Sequence, residues 1–335
     1  MTLLEKNNSI YVAGSNGMVG NAICKLLNKN GYTKDNKNLL TSSRKDLDLK
    51  DSKKVDLWFK NNKPNIVIIA AAKVGGIMAN KLKPVEFLLE NLRIQNNLIE
   101  SSWKYEVKRL LFLGSSCIYP KFAKQPIKES YLLSDKLENS NKSYAIAKIA
   151  GLKLCEAYRN QYGFDAISLM PTNLYGPKDN YNSVESHVMA SLIRKFYEAK
   201  KEKKNEVVCW GSGLPLREFL YLDDFAEACL HVLKYWSPNL NNSPIDDDGG
   251  IINWLNVGSD YEISIKELAE KIAEKIGFKG NIIWDNTKPD GTPRKKLDTF
   301  YLKEIGWTAK TDIDSGIKKT IESFKTELQE NQIRT

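Results

Sequence analysis

Three groups of residues in this chain combine reactive side chains with the placement that catalysis or cofactor binding needs. The first is Leu110-Leu111-Phe112-Leu113-Gly114-Ser115-Ser116-Cys117-Ile118-Tyr119-Pro120, an apolar run that ends abruptly in hydroxyls and a thiol. A short apolar run bounded by turn signals reads as a strand buried on both faces of a parallel sheet. Such strands aim their carboxyl ends at a ligand crevice, so the residues after Leu113 are presented to a substrate. Ser115 can hydrogen-bond a carbonyl oxygen, and Cys117, on the same side if the backbone stays extended, can move a proton beside that carbonyl. The plainer alternative is a Ser-rich loop with a small buried Cys.

The second group is Tyr144 and Lys148, four apart and therefore on one helical face. An ammonium beside a phenol of pKa near ~10 favours the phenolate and lowers that value, so such a Tyr can protonate an alkoxide at neutral pH. The third is Gly14-Ser15-Asn16-Gly17-Met18-Val19-Gly20. Between a strand and a helix, glycines at this spacing let the backbone approach a pyrophosphate, and the helix amino terminus adds a favourable dipole.

The apolar pattern gives the strands and helices that carry these groups. Ser9–Ala13 is expected as a first strand, followed by a helix through Leu27. A second strand, Asn38–Ser42, ends without the Asp or Glu that would hold the ribose hydroxyls of NAD. Ser43 and Arg44 stand there instead, which suits a 2′-phosphate and so NADP, the alternative being a basic solvated turn. Asp48, with Leu49 beside it, is placed to meet the adenine edge. A helix from about Asp51 to Asn61 leads to a third strand, Asn65–Ile69, whose end carries Ala70-Ala71-Ala72, small enough for a cofactor to lie against the backbone. Long helical patterns run from Pro84 to Trp103 and from Asn141 to Gln161, and Ala166–Met170 is a further strand. Strand and helix alternate, the pattern of an α/β protein with a Rossmann-type doubly wound parallel sheet.

Beyond Pro171 the alternation breaks down. His187 opens a helix to about Lys200, Val207–Gly211 and Glu218–Tyr221 read as short strands, and Asp223-Asp224 as the cap of a helix to Tyr235. Residues 237–250 read as a surface loop, Ser264 as a helix cap, and Pro289–Lys295 as a rigid basic turn. The expected division is an NADP-binding unit of residues 1–172 plus 218–257 and a smaller α/β unit of residues 173–217 plus 258–330 that holds the substrate, which the resemblance described below implies to be a nucleotide sugar.

Composition narrows the function classes. At 335 residues and 42% hydrophobic content the chain can bury a sizeable core. Its net charge of +9 rests on 50 basic residues, of which only eight are Arg. Lys scattered among Asn is not the clustered stripe of a nucleic-acid binder, and an anionic small molecule is the better beneficiary. Five widely spaced cysteines without Cys-x-x-Cys pairs indicate neither disulfides nor zinc and fit a reducing cytoplasm. No run approaches a membrane span, and no signal peptide is expected.

Taken together, the motifs at Gly14–Gly20, Ala70–Ile77, Leu113–Pro120, Tyr144–Lys148, Pro171–Pro177 and Pro289–Lys295 resemble the extended short-chain dehydrogenases, in particular the GDP-L-fucose synthase family, from Ser9 to about Trp307. The resemblance implies Ser115, Tyr144 and Lys148 as a reductase triad and Cys117 with His187 as an epimerase pair. It adds Pro171, Asn173, Leu174 and His187 to the NADP(H) contacts. Ser115, Ser116, Cys117, Asn173, His187, Lys195, Trp210, Arg217 and Lys295 would then hold a GDP-linked 4-keto sugar, the basic members on the diphosphate. Lys195 replaces an Arg often found there, and a solvated helix face is its plainer reading. Family members commonly read Gly-His-Arg-Gly in the fingerprint, where this chain has Gly14-Ser15-Asn16-Gly17, so Arg44 carries more of the NADP preference. The loop Tyr181–Ser186 and Ala190 lack prolines the family often has, which bears on where His187 is placed.

The resemblance implies that Cys117 removes protons at carbons 3 and 5, that His187 returns them, and that Tyr144 protonates the carbon-4 oxygen during hydride transfer. Without it, a small core residue and a helix-start cap are the plainer readings of Cys117 and His187. A homodimer through the two long helices is expected by fold analogy. Two rivals stand beside this reading. One is a pure carbon-4 reductase of a GDP-4-keto-heptose or related sugar, and the other a non-catalytic NADP-sensing protein.

Overall fold

The structure, a computed structural model, describes residues 3–240, 243–288 and 290–334. Pro289, at the head of the expected basic turn, and Asn241 and Asn242 in the 237–250 loop lie outside the described residues. The first half of the chain runs β1 (Ile10–Ala13), α1 (Met18–Lys29), β2 (Leu39–Thr41), α2 (Ser52–Asn62), β3 (Ile66–Ile69), α3 (Ile77–Leu82), α4 (Pro84–Lys104), β4 (Arg109–Leu113), α5 (Lys142–Tyr162) and β5 (Ala166–Pro171). It continues with β6 (Asn173–Tyr175), α6 (Val188–Lys201), β7 (Glu206–Trp210), β8 (Leu216–Tyr221), α7 (Leu222–Tyr235), β9 (Trp254–Val257), β10 (Glu262–Ser264), α8 (Ile265–Ile276), β11 (Asn281–Asp285), β12 (Arg294–Lys295), α9 (Phe300–Glu304) and α10 (Ile313–Gln329).

Six strands form a parallel sheet in the order β2-β1-β3-β4-β5-β9. Every residue of β1, β3, β4 and β5 is buried, because helices cover both faces. On one face α1 and α7 bring Ile23, Leu27, Phe225 and Trp236 against Ile10, Val12 and Leu111. On the other, α2, α4 and α5 bring Phe59, Leu98 and Leu152 against Tyr11, Val67 and Leu110. Successive strand residues serve opposite faces, which is why these strands read as unbroken apolar runs. The expected Rossmann-type doubly wound sheet is thus present. Its strand order reverses between β1 and β3, and such a switch point opens a crevice at the carboxyl ends, here Gly14 and Ala70.

The second layer system is smaller. β8 pairs with β6, β10 and β12, β7 runs parallel with β11, and α6, α8 and α10 enclose a separate apolar core around Phe196, Ile272, Ile317 and Phe324. A full capping box at Ser264 and Glu267 starts α8, as its sequence suggests.

Several expectations change. Residues 218–221, expected in the cofactor unit, lie in β8 and pair in the second sheet. Leu302 and Trp307, expected in the sugar unit, pack into the first core. Asp223 and Asp224 sit in the first turn of α7 instead of capping it. Arg294 and Lys295 form a strand instead of ending a turn. In each case the local pattern fits more than one sheet or turn, and long-range pairing chooses.

Candidate active site

The glycine turn between β1 and α1 divides its labour. Gly14 has φ +87°, and a Cβ there would come within 2.7 Å of the Ala71 backbone; one on Gly20 would lie 2.2 Å from the Gly14 carbonyl oxygen. Both are required by the chain's own close approach. Gly17 is not, since its Cβ would meet only the Gly14 oxygen at 3.4 Å. A bare backbone there leaves room for a ligand to approach. No side chain caps α1 and no carboxylate occupies its first turn, so the helix amino terminus suits a pyrophosphate. Asn16 is exposed beside it, while Met18 and Val19 lean into the core.

On the other side of the crevice, Ala70 donates its N–H to Ala13 at 3.0 Å and the loop through Ala71 and Ala72 continues to Lys73. There the buried Asn91 accepts from Lys73 N–H at 2.8 Å and donates to the Lys73 carbonyl at 3.0 Å. An Asn inside an amphipathic helix carries no sequence signal, so this clamp was not foreseen. Arg44 is exposed after β2, as an NADP-selecting residue requires. Ser43 is less available than expected, because its hydroxyl donates to Asp46 at 2.6 Å. Asp48 accepts the Lys50 N–H at 3.1 Å, and the Leu49 carbonyl is held by Asn97 at 2.9 Å.

β4 leads into the cluster expected to do the chemistry. The backbone after Ser115 does not stay extended; Ser116–Ile118 form a single 3-10 turn whose N-cap is Ser115, its hydroxyl accepting the Cys117 N–H at 3.3 Å. Ser115 also lies near enough to the Tyr144 hydroxyl and the Cys117 thiol to oppose the rise of both pKa values. The turn, and not extended alternation, is what brings Ser115 and Cys117 together. Ser116 and Cys117 are buried at its base.

Lys148, buried on α5, donates to the Leu113 carbonyl at 2.8 Å, with its ammonium 4.8 Å from the Phe112 ring centroid and 5.9 Å from that of Tyr144. Desolvation pulls Lys148 down to about 8. The expected depression of the Tyr144 pKa is not found. Burial pushes the phenol up, Cys117 adds to the rise and Ser115 opposes it, while the ammonium is spent on a strand carbonyl. Burial likewise raises the Cys117 thiol, with Lys295 as the leading opposing charge, then Ser115 and Lys148.

His187 occupies the N-cap position of α6, where the helix-start reading puts it, but its side chain makes no capping bond. The residue as a whole keeps solvent access, yet desolvation of the ring, helped by Lys295 nearby, lowers its pKa below the ordinary histidine value. Hydrogen bonds replace prolines in the preceding loop. Asn182 Oδ1 accepts from Val184 and Glu185 N–H at 2.9 and 3.0 Å, Arg194 donates to the Tyr181 carbonyl at 2.7 Å, and Gly76 N–H donates to the Glu185 carbonyl at 2.8 Å. Lys83 adds an ion pair to Glu185. His187 is thereby tied to the loop that comes after β3.

The expected sugar-nucleotide residues come from the second layer system. Arg217 on β8 and Lys295 on β12 are register partners, and desolvation lowers Arg217 to about 10 with Asp290 opposing. Lys195 is no idle helix-face residue. It crosses to β7, donating to the Val208 carbonyl at 3.1 Å and standing 5.6 Å from the centroid of the exposed Trp210, with the unforeseen Lys288 at 5.8 Å. Asn173 donates to the Glu218 carbonyl at 2.8 Å, Pro171 is buried opposite Val257, and Leu174 packs on the first core, so side chains of these three chiefly shape the seam between the sheets. One cleft is lined by Ser116, Cys117, Glu138, Asn141, Thr292 and Lys295. Glu138 escapes a reading from sequence because it lies in a loop without any motif, while Asn141 and Thr292 read only as a helix start and part of a rigid turn.

A switch-point glycine cradle facing a Ser-Tyr-Lys cluster, closed by a second basic lobe, defines a dinucleotide-binding oxidoreductase of the short-chain dehydrogenase type. The profile of the NAD dependent epimerase/dehydratase family matches residues 10–242, and the chain belongs to that family. It is 49% identical to GDP-L-fucose synthase 1 of Arabidopsis thaliana, covering 96% of this chain and 95% of that protein. It is 45% identical to the GDP-L-fucose synthase of Escherichia coli, covering 94% and 96%. Among solved structures, the GDP-mannoheptose C4 reductase of Campylobacter jejuni with NADP bound superposes with a TM-score of 0.85 at 34% identity, covering 96% and 99%.

Proposed function

We propose that the chain is an NADPH-dependent enzyme that epimerises a GDP-4-keto-6-deoxy sugar at carbons 3 and 5 and then reduces carbon 4, giving GDP-L-fucose. The observation that carries this reading is the grouping of Ser115, Cys117, Tyr144 and Lys148 about the end of β4, with the charge of Lys295 acting on both Cys117 and His187. A carbon-4 ketone acidifies the protons on its neighbours. Cys117 takes such a proton as thiolate, Ser115 and Tyr144 donate to the developing oxyanion, and His187 returns a proton to the opposite face. NADPH supplies the hydride. Tyr144 gives its proton to the carbon-4 oxygen, and Lys148 provides positive charge behind that transfer and a donor for the nicotinamide ribose. Gly14, Gly17, Gly20 and Arg44 would hold the cofactor; Lys195, Trp210, Arg217 and Lys295 the GDP-sugar.

The rival carbon-4 reductase of a GDP-heptose is supported by the Campylobacter likeness at 34% identity, against 49% and 45% for the fucose synthases. Product formed in heavy water decides between them. Deuterium at carbons 3 and 5 supports the bifunctional enzyme; reduction of the ketone with no deuterium at either carbon overturns it. We place the enzyme in the cytoplasm, supplying surface polysaccharide synthesis as a homodimer. No helix among the described residues is long and apolar enough to cross a membrane.

A further inference from the structure

Lys295 lies on a strand of only two residues and stands in register with Arg217 on β8. Register partners in a parallel pair project on the same face, so these cations are neighbours and repel one another. So short a ladder is a weak hold against that repulsion, and the grip on β12 comes from a loop far away in sequence. Gln125 Oε1 accepts the Lys296 N–H at 2.8 Å, and Gln125 Nε2 donates to the Arg294 carbonyl at 3.3 Å. One side-chain amide thus holds the peptide groups on both sides of Lys295. The same Nε2 donates to Ala123 in its own loop at 3.1 Å. Just beyond, Ile127 N–H donates to Lys296 and Asp298 N–H to Ile127, both at 2.8 Å, closing a short bridge. Across the strand, Glu218 accepts the Leu297 N–H at 3.1 Å. Arg294 is drawn away by Glu262, at 2.8 and 2.6 Å, so Lys295 is the residue of β12 that lines the cleft with Cys117.

We propose that Gln125 is a positioning residue for the GDP-sugar, fixing Lys295 beside Arg217 so that the two cations form one receptor for the diphosphate. This rests on the nucleotide-sugar reading above. Gln125 acts through Lys295, which a double-mutant cycle can isolate. The probe is GDP, titrated calorimetrically into the NADPH-loaded enzyme. Gln125→Ala and the shape-preserving Gln125→Met should each weaken GDP by about tenfold, with NADPH affinity held within about twofold. Lys295→Met should cost at least as much, and adding Gln125→Ala to it should cost less than about twofold more, since nothing remains to be positioned. Unchanged GDP affinity in the Gln125 variants, losses that multiply in the double variant, or an equal loss of NADPH affinity would each overturn the proposal. If the unmutated enzyme binds GDP but turns over no GDP-4-keto sugar, the functional reading fails and the positioning role stands. If it does not bind GDP, both fall.

Discussion

At the scale of single residues, the two half-reactions draw on different groups and can be separated. Cys117→Ser replaces the thiol with a hydroxyl that hardly ionises and barely changes shape. The variant should still oxidise NADPH, with deuterium wash-in at carbons 3 and 5 reduced by about a hundredfold or more. Tyr144→Phe should do the reverse, and a variant that lost both activities equally would show the roles to be inseparable. The pH profiles should differ as well. Epimerisation needs one proton shared between Cys117 and His187. With the thiol raised and the imidazole lowered, that proton count prevails across neutral pH. Wash-in should therefore be level there. Reduction needs the Lys148 ammonium, which is lost as pH rises through about 8. Single-turnover NADPH oxidation should then fall, approaching about tenfold per pH unit, and a rate level to about pH 10 would remove Lys148 from the step. Arg44→Ala should weaken NADPH by about tenfold and NADH by less than about twofold; equal losses would sink the 2′-phosphate assignment.

At the scale of elements, the loop after β3 and the loop before α6 behave as one unit, because Gly76 N–H holds the Glu185 carbonyl and Lys83 pairs with Glu185. A Cβ on Gly76 would lie 2.4 Å from the Ser186 carbonyl oxygen, so Gly76→Ala must displace the backbone next to His187. We expect deuterium wash-in to drop by about tenfold or more while NADPH affinity changes little, since a displacement of about 1 Å is enough to spoil proton transfer. Normal wash-in would mean that His187 is positioned from α6 alone. Prolines would stiffen such a loop through the unfolded state; here hydrogen bonds to Asn182, Tyr181 and Glu185 do so in the folded one.

At the scale of the whole molecule, α4 and α5 pack side by side and leave Val85, Leu89, Trp103, Ile146 and Tyr162 exposed. A second copy laid on this face would bury them in a four-helix arrangement. Light scattering at micromolar concentration should give twice the chain mass, and Leu89→Glu with Ile146→Glu should halve it. A monomeric mass for the unmutated protein would refute the dimer. Lys295 of β12 lines one cleft with Ser116 and Cys117 at the end of β4, so on the proposed reading neither layer system holds a complete site alone.

Features whose signal is local could be read from the residues before any fold was known. Fully buried parallel strands must be apolar on both faces, so β1, β3, β4 and β5 were legible as continuous runs. A glycine turn must spare a Cβ where backbones meet, so Gly14 and Gly20 were legible too. The Ser-Tyr-Lys and Cys-His sets could be named because motif spacing and family resemblance carry residue types. Relations between distant segments had to await the folded chain. Nothing near Glu218 says which sheet β8 joins, nothing near Gln125 says that it grips the strand of Lys295, and nothing near Asn91 says that it clamps the cofactor loop. The Tyr144 pKa belongs to the same class. Its spacing from Lys148 suggested a lowered value, but the ammonium donates to the Leu113 carbonyl and burial pushes the phenol up, because desolvation depends on every neighbour and not on the one four residues away.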